Sequence, residues 1–255
     1  MQRKPEERRR RILELLRTGS VNVGELARRM QVSEVSIRRD LAALDREGRL
    51  LRVYGGAAPS DRLAYEFSFR EKETRRAAHK QAIGRAAAHL VDPGAVVFVD
   101  SGTTPLAAAR ALRDRGPAVV VTINLAVASE YAGLREVQVL IPGGELSPIS
   151  PDVYGEWTME FLSRITADAA FIGCDAVDPD DGFYAANTGL AAVARVMVAR
   201  SRKAVLVADS SKFARRSMCR IGRMDDLDAV VTDRGLAQGL RRAVRRHGVD
   251  LVLAK

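Results

Sequence analysis

What the chain lacks narrows its class first. Its 255 residues include only two cysteines, Cys174 and Cys219, far apart and without metal-ligand spacing. A disulfide framework and a zinc site are therefore not expected, and both are read as reduced thiols in or near the core. No uninterrupted apolar run approaches the ~18 residues a membrane helix needs, so no membrane partner is expected. The opening stretch MQRKPEERRRRILELL has no h-region of a signal peptide, and a cytoplasmic location is expected. Histidine is scarce too. His79 and His89 share a candidate helix but stand ten residues apart, which is not the i, i+4 spacing of a metal pair. No internal repeat and no low-complexity tract interrupts the chain.

What is present is ordinary globular material, 47% apolar and 29% charged, long enough for one large core or a small domain plus a medium one. The net charge of +9 is unevenly placed. Residues 1–60 hold 14 Lys and Arg against 8 Asp and Glu, a local excess of +6. Two-thirds of the imbalance thus falls in less than a quarter of the chain, the electrostatic footprint expected of a nucleic-acid module.

Within that quarter, residues 20–57 read SVNVGELARRMQVSEVSIRRDLAALDREGRLLRVYGGA. Val23, Leu26, Ala27 and Met30 form an apolar stripe at helical spacing. Gln31-Val32 breaks that helix, and Ser33 is a natural N-cap for the next. In this second helix Ile37, Leu41 and Leu44 face inward. Val35, Ser36 and Arg39 lie on the opposite side, with Arg38 at its border. Short polar groups, a methyl-bearing residue and arginines suit the major groove, where arginine pairs two-pronged with guanine and small residues meet thymine methyls. Arg46, Arg49 and Arg52 follow on the helix end and the hairpin, where phosphate contacts would fix register without reading bases. A solvated amphipathic helix is the alternative. The complete helix-turn-helix-hairpin pattern favours a winged helix instead. An earlier helix, roughly 6–17, would brace the other two, with Arg8 to Arg11 outward, either touching phosphate or facing water.

ELARRMQVSEVSIRRDLAALDREGRLLRVYGGA resembles the N-terminal domain of the DeoR family of bacterial transcription regulators. SIRRDL is similar to the family's recognition-helix hallmark, with Ser36 where Thr is usual. The resemblance implies DNA contacts from Ser33, Val35, Ser36, Arg38, Arg39, Arg49 and Arg52.

Beyond a charged linker expected at 61–76 and a helix at about 75–90, the pattern changes. Seven near-continuous apolar runs, at 95–100, 118–122, 137–141, 168–173, 204–209, 228–232 and 249–253, alternate with helical segments. Such runs suit strands covered on both faces. The expected fold is an N-terminal winged helix-turn-helix domain (1–60) followed by a doubly wound, mainly parallel α/β domain (77–255). Ligands of such sheets bind beyond the carboxyl ends of the strands. There the sequence places Asp100-Ser101-Gly102-Thr103-Thr104, Thr122, Gly143-Gly144 and Asp209 with Lys212. The first loop is either a phosphate cradle or a plain strand-to-helix cap. If the strand ends are neighbours, Lys212 supplies charge for a phosphate while Asp100 and Asp209 accept from sugar hydroxyls. Gly173 and Asp175 would complete the rim.

VDSGTT (99–104), IPGGEL (141–146), FIG (171–173) and VADSSKF (207–213) resemble the C-terminal sensor domain of the same family, whose fold is similar to sugar-phosphate isomerases. The resemblance implies a repressor of a carbohydrate operon that responds to a phosphorylated sugar. It also implies a double-stranded operator and a homodimer or homotetramer. No catalytic residue, cofactor or metal is assigned. Two positions depart from the family: Ile123 stands where Asn usually follows Thr122, and LAAVAR (190–195) replaces a segment that usually carries Glu and Lys. Two alternatives are an isomerase-like enzyme fused to a DNA-binding domain and a regulator that has lost its effector.

Overall fold

A computed structural model describes residues 5–16, 21–53, 55–58, 69, 72–147 and 150–255. The chain forms two compact units, one from residues up to 71 and the other from 72–147 and 151–255. Most of the segment expected as a linker, 61–68 and 70–71, lies outside the described residues. Residues 72–76 belong to the second unit.

The first unit contains α1 (Pro5–Leu16), β1 (Val21–Asn22), α2 (Val23–Met30), α3 (Glu34–Arg46), β2 (Leu51–Val53) and β3 (Gly56–Ala58). Gln31 ends α2 in a left-handed conformation, φ 55. The Ser33 hydroxyl then caps α3 by accepting from the Ser36 amide at 3.2 Å. Ile12, Leu16, Leu26, Ile37, Leu41, Leu44 and Leu50 interlock beneath the three helices. Strand β3 pairs with both β2 and β1, so the wing is a three-stranded antiparallel sheet rather than a bare hairpin.

One expectation for this unit is corrected. Arg8 and Arg9 do not point outward; both converge on Asp40, which is 1% exposed. A carboxylate buried on α3 needs charged donors in place of water, and α1 supplies two. Only Arg10 and Arg11 stay on the outer face, beside Glu14.

The second unit is built on seven parallel strands. In chain order they are β4 (Val96–Val99), β5 (Val119–Thr122), β6 (Gln138–Leu140), β9 (Ala169–Ile172), β12 (Ala204–Val207), β14 (Ala229–Asp233) and β15 (Asp250–Ala254). The order across the sheet is β15-β14-β12-β9-β4-β5-β6. The chain therefore leaves β4 toward one edge, returns to β9 on its other side, and continues to the opposite edge. All seven expected strands are present. Phe98, Val121, Ile172, Leu206 and Val230 are fully buried in one core, as strands covered on both faces require.

Helices α4 (Ala77–Ala88), α5 (Thr103–Leu112), α6 (Leu125–Glu130), α7 (Glu156–Ser163), α8 (Thr188–Ala199) and α9 (Gln238–Arg245) cover the sheet. Two small features were not expected from the sequence. One is the hairpin β7 (Glu145–Leu146) with β8 (Val153–Tyr154). The other is an antiparallel sheet of β10 (Ala176–Asp178), β11 (Gly182–Ala185) and β13 (Cys219–Gly222). Among the described residues no helix is long and apolar enough to cross a membrane.

Replacing Asp40 by Ala removes the buried carboxylate that Arg8 and Arg9 share, at an expected cost of about 1–3 kcal/mol. Denaturant unfolding followed by circular dichroism checks this; an unchanged midpoint would assign Asp40 no structural role.

Candidate functional site

On the DNA side, α3 presents an outer face that the core does not use. Val35 is 65% exposed, an apolar side chain left in water. Ser33 and Ser36 place their hydroxyls 3.0 Å apart at the start of the helix. Arg38 is tied to Glu34 at 2.8 Å, a surface i, i+4 pair that yields readily to a stronger acceptor. Arg39 is exposed and forms no ion pair among the described residues. On the wing side, Arg49 lies 3.6 Å from Glu47. Arg52 is exposed on β2, its amide donating to Asp45. The structure thus collects the expected DNA-facing residues on α3 and the wing. It assigns Asp40, the acid of the SIRRDL run, to the interior.

The second site lies where β4 and β9 part, the switch point of the sheet. After β4 the chain turns through Asp100, Ser101 and Gly102 into α5. Gly102 has φ 110, a value side chains with a Cβ rarely adopt. Thr103 and Thr104 open α5, and no acceptor among the described residues takes their amides. Free amides at a helix start attract anions. Across the switch point, a Cβ on Gly173 would fall 2.4 Å from the Ser101 carbonyl oxygen. Only glycine lets the two loops approach this closely.

Asp100 sits in that junction, 4% exposed, accepting from the Gly173 amide at 3.1 Å. Burial pushes its carboxyl up to about 7; Asp152 and Asp175 push the same way, and the Ser101 and Gly173 amides only partly offset them. The Ser101 hydroxyl donates to Asp152 at 2.7 Å, and Asn124 Nδ2 donates to the other oxygen of Asp152, also at 2.7 Å. Asn124 Oδ1 meanwhile caps α6 through the Val127 amide. The shift of Asn to position 124 thus lets Ile123 enter the core while Asn124 braces the site through Asp152.

After β12 comes Asp209, 3% exposed, whose Oδ1 accepts from Ser211 and lies 3.2 Å from Arg76 Nε. Its Oδ2 takes no hydrogen bond from the described residues. Cys174 lies among these groups: burial pushes its thiol up to about 12, Lys212 draws it down, and Asp175, Asp209 and Asp100 push it up. Lys212 therefore stands at the same strand ends as the two expected carboxylates.

Some expected residues have other employment. The Thr122 hydroxyl is fully buried, donating to the Val99 carbonyl at 2.8 Å and accepting from the Asn124 amide. It holds β5 to β4 and presents nothing to a ligand. Gly143 and Gly144 follow edge strand β6, two strands from the switch point, and pack on α7; Thr158 Oγ1 donates to the Gly143 carbonyl. The LAAVAR segment lies in α8, where Ala191, Val193 and Ala194 are buried in the core.

Two cations stand here without having been expected, both at the start of α4. Lys80 is only 6% exposed, and its ammonium donates to the Lys72 carbonyl. The same carbonyl accepts from Thr103 Oγ1, which brings Lys80 up to the free amides of α5. Burial lowers the Lys80 pKa, Asp209 and Glu73 raise it, and Lys212 and Arg75 lower it. Arg76 reaches Asp209, Ser210 and Asp233. A helical-wheel reading would have flagged Lys80, since it shares the buried face of Ile83, Gly84 and Ala87. Asp152, in an irregular segment before β8, gives no comparable signal. Among the described residues no cluster of His, Cys, Asp or Glu could hold a metal ion.

The raised value at Asp100 has a signed consequence. Its stabilising contribution is complete below the ordinary value of 3.8 and is lost as pH rises toward about 7, because the folded form keeps a proton that the unfolded form releases. Asp100→Asn is expected to raise the melting temperature at about pH 8 and to change it little at about pH 4. The check is a melting series across that range; a pH-independent difference would refute the neutral carboxyl.

Comparison with known proteins identifies the family of both units. Residues 8–62 match the DeoR-like helix-turn-helix domain, and residues 75–234 match the DeoR C terminal sensor domain. The chain is 34% identical over 250 residues to a putative aga operon transcriptional repressor of Escherichia coli O157:H7, covering 97% of this chain and 93% of that one. It is 31% identical to the glycerol-3-phosphate regulon repressor of Escherichia coli K12, covering 98% and 99%. A ribose 5 phosphate isomerase A from Neisseria gonorrhoeae overlaps 54% of this chain and 53% of its own, with 16% identity and a TM-score of 0.40. The winged helix, the sensor fold and relatives matched along nearly their whole length make this chain a member of the DeoR family, a DNA-binding transcriptional regulator.

Proposed function

We propose that the protein represses a carbohydrate-metabolism operon and is controlled by a phosphorylated sugar held at the β4/β9 switch point. The observation that carries this reading is the meeting of Lys80 with the start of α5. Among the described residues the buried Lys80 ammonium has one hydrogen-bond partner, a neutral carbonyl, and an anion beside it would satisfy both the ammonium and the amides of Thr103 and Thr104. Lys212 adds charge to the same corner. Ser101, Gly102 and Thr104 shape the loop, while Asp209 Oδ2, without a hydrogen bond among the described residues, and the Asp100 carboxyl, its pKa raised by burial, offer polar partners to sugar hydroxyls. The names of the relatives, an aga operon repressor and a glycerol-3-phosphate regulon repressor, support the same pathway class.

In this reading residues 1–60 bind operator DNA, 61–76 link the domains, and 77–255 sense the effector and associate as a homodimer or homotetramer in the cytoplasm. Exposed Trp157 (75%) and Leu146 (61%) give the sensor unit apolar surface for self-association. Ser33, Val35, Ser36, Arg38 and Arg39 enter the major groove, with Arg49 and Arg52 on phosphate. The sensor is read as non-catalytic, since Asp209 and Asp233 are engaged with Arg76. Incubation of the purified protein with ribose 5-phosphate is expected to yield no isomer.

A thermal-shift panel of ribose, fructose and tagatose phosphates and glycerol 3-phosphate tests the sensor. A ligand at about 100 times its dissociation constant stabilises by roughly 2.7 kcal/mol, and the shift is expected to vanish in Lys80→Met and Lys212→Ala. A shift that survives in both variants, or no shift from any compound, would defeat the assignment.

For the DNA unit, Arg39→Ala is expected to cost about 1–3 kcal/mol at one operator position and relax discrimination there. Arg52→Ala should weaken binding to all sequences alike and lower the salt slope by about 1. Titrations against operator and mismatched duplexes at several salt concentrations separate the two; equal, uniform losses would contradict the division into base reader and phosphate contact.

A further inference from the structure

The first residues of the second unit, ahead of α4, are fastened in an unusual way. Arg76 immediately precedes α4 with φ 57, the left-handed region that a side chain with a Cβ rarely occupies. No side chain caps the helix behind it. The Arg76 guanidinium instead reaches across to the carboxyl ends of two strands. Its Nη2 donates to Ser210 Oγ at 3.0 Å and to both oxygens of Asp233 at 3.3 and 3.2 Å, and its Nε lies 3.2 Å from Asp209 Oδ1. Asp233 is itself preformed for this. Burial pushes its carboxyl up, but the amide and hydroxyl of Ser210, the Gly235 amide and Arg76 together hold it below the usual range. Four residues earlier, the Lys72 carbonyl is held by Lys80 and Thr103. Glu73 is also paired with Arg110 at 2.9 Å; of the fastenings of residues 72–76, those at Lys72 and Arg76 each use a group that the proposed ligand would engage.

We propose that Arg76 is the coupling residue of the regulator: its clasp on Asp209 and Asp233 holds residues 72–76 to the sensor, and filling the pocket loosens that hold. This rests on the effector site proposed above and adds to it the route by which occupancy reaches the chain leading to the DNA-binding domain. The direction follows from competition. A phosphate is a stronger acceptor for Lys80 than the Lys72 carbonyl. A sugar hydroxyl donating to Asp209 draws negative charge away from Arg76, whose Nε lacks a well-aligned hydrogen bond. An effector shifts a conformational equilibrium only through such differential contacts. By reciprocity, loosening the clasp by mutation should mimic the effector.

The test uses the full chain, an operator fragment selected from genomic DNA by the protein itself, and the Arg76→Ala and Arg76→Lys variants. Without ligand, Arg76→Ala is expected to bind the operator at least about fivefold more weakly than wild type, within the usual span of allosteric coupling. Its backbone amides over 72–80 should exchange with deuterium faster, with the rest of the sheet unchanged. Ribose 5-phosphate or glycerol 3-phosphate, whichever shifts wild type, should change its operator affinity less than twofold while still raising its melting temperature. Arg76→Lys keeps the charge but not the fork that spans two carboxylates, and should fall between; it carries the test should Arg76→Ala not fold. Folded variants with wild-type exchange over 72–80, or with the full wild-type response to ligand, would overturn the proposal. If no sugar phosphate acts on wild type, the pocket assignment fails by itself, and the ligand-free comparison still decides the clasp.

Discussion

A parallel sheet covered on both faces has no place for polar side chains except its ends, and this constraint organises the sensor. Strands β4, β9 and β12 are buried along most of their length, so the carboxylates Asp100 and Asp209 and the hydroxyls of Ser101 and Ser210 are displaced to the loops at their carboxyl ends. Because the chain runs from β4 toward one edge and then resumes at β9 on the other side, two loops diverge there and leave a crevice. Gly173 permits the crevice to be narrow, since any side chain would strike the Ser101 carbonyl. Narrowness in turn removes water from Asp100 and raises its pKa.

The same economy of charge governs the small DNA-binding unit. A unit of about sixty to seventy residues cannot bury much apolar area, and such units are marginal. Here α1 is joined to α3 by two arginines on the buried Asp40 as well as by Ile12 and Leu16. The arrangement orients α3 from behind, leaving Val35, Ser36 and Arg39 free on its outer face. The sequence pattern puts all four arginines of α1 on its outer face, toward phosphate or water; two of them, Arg8 and Arg9, turn to the buried Asp40 instead.

Much of this was legible in the residues because the relevant physics is local. A strand buried on both faces must be apolar throughout, so all seven core strands announce themselves as Val-, Ala- and Leu-rich runs. Helix caps such as Ser33 and the glycines at the switch point also carry short-range signatures. What stayed hidden was created by tertiary contact. Thr122 looks like a ligand group at a strand end, yet the neighbouring strand takes its hydroxyl. Gly143 and Gly144 look like a phosphate loop, but the strand order carries them away from the switch point to a hairpin packed on α7. Arg76 looks like an ordinary charge at a helix start, and Lys80, although it shares the apolar face of α4, carries no sign of what it meets. Only the return of α4 to the ends of β12 and β14 makes them part of the site. Asp152 acquires its role because Ser101 and Asn124, from two different strand ends, both need an acceptor.

The placement of Lys80 and Arg76 has a consequence for how a regulator of this kind can respond at all. A ligand held solely by the strand ends would stabilise the sheet in both of its functional states equally, and equal binding shifts no equilibrium. Residues on α4 differ in kind from those at the strand ends, because α4 is continuous with the segment that leads to the DNA-binding domain. In the proposed scheme, drawing part of the recognition chemistry from α4 would make the position of that segment depend on occupancy. Buried ion pairs are well suited to such a role, because desolvation keeps their net worth small while making a broken pair expensive. A modest change in what surrounds Asp209 can therefore move the balance of the clasp. In that scheme the proposed binding site and the proposed transmission device share the same few charges, viewed from opposite sides of Asp209.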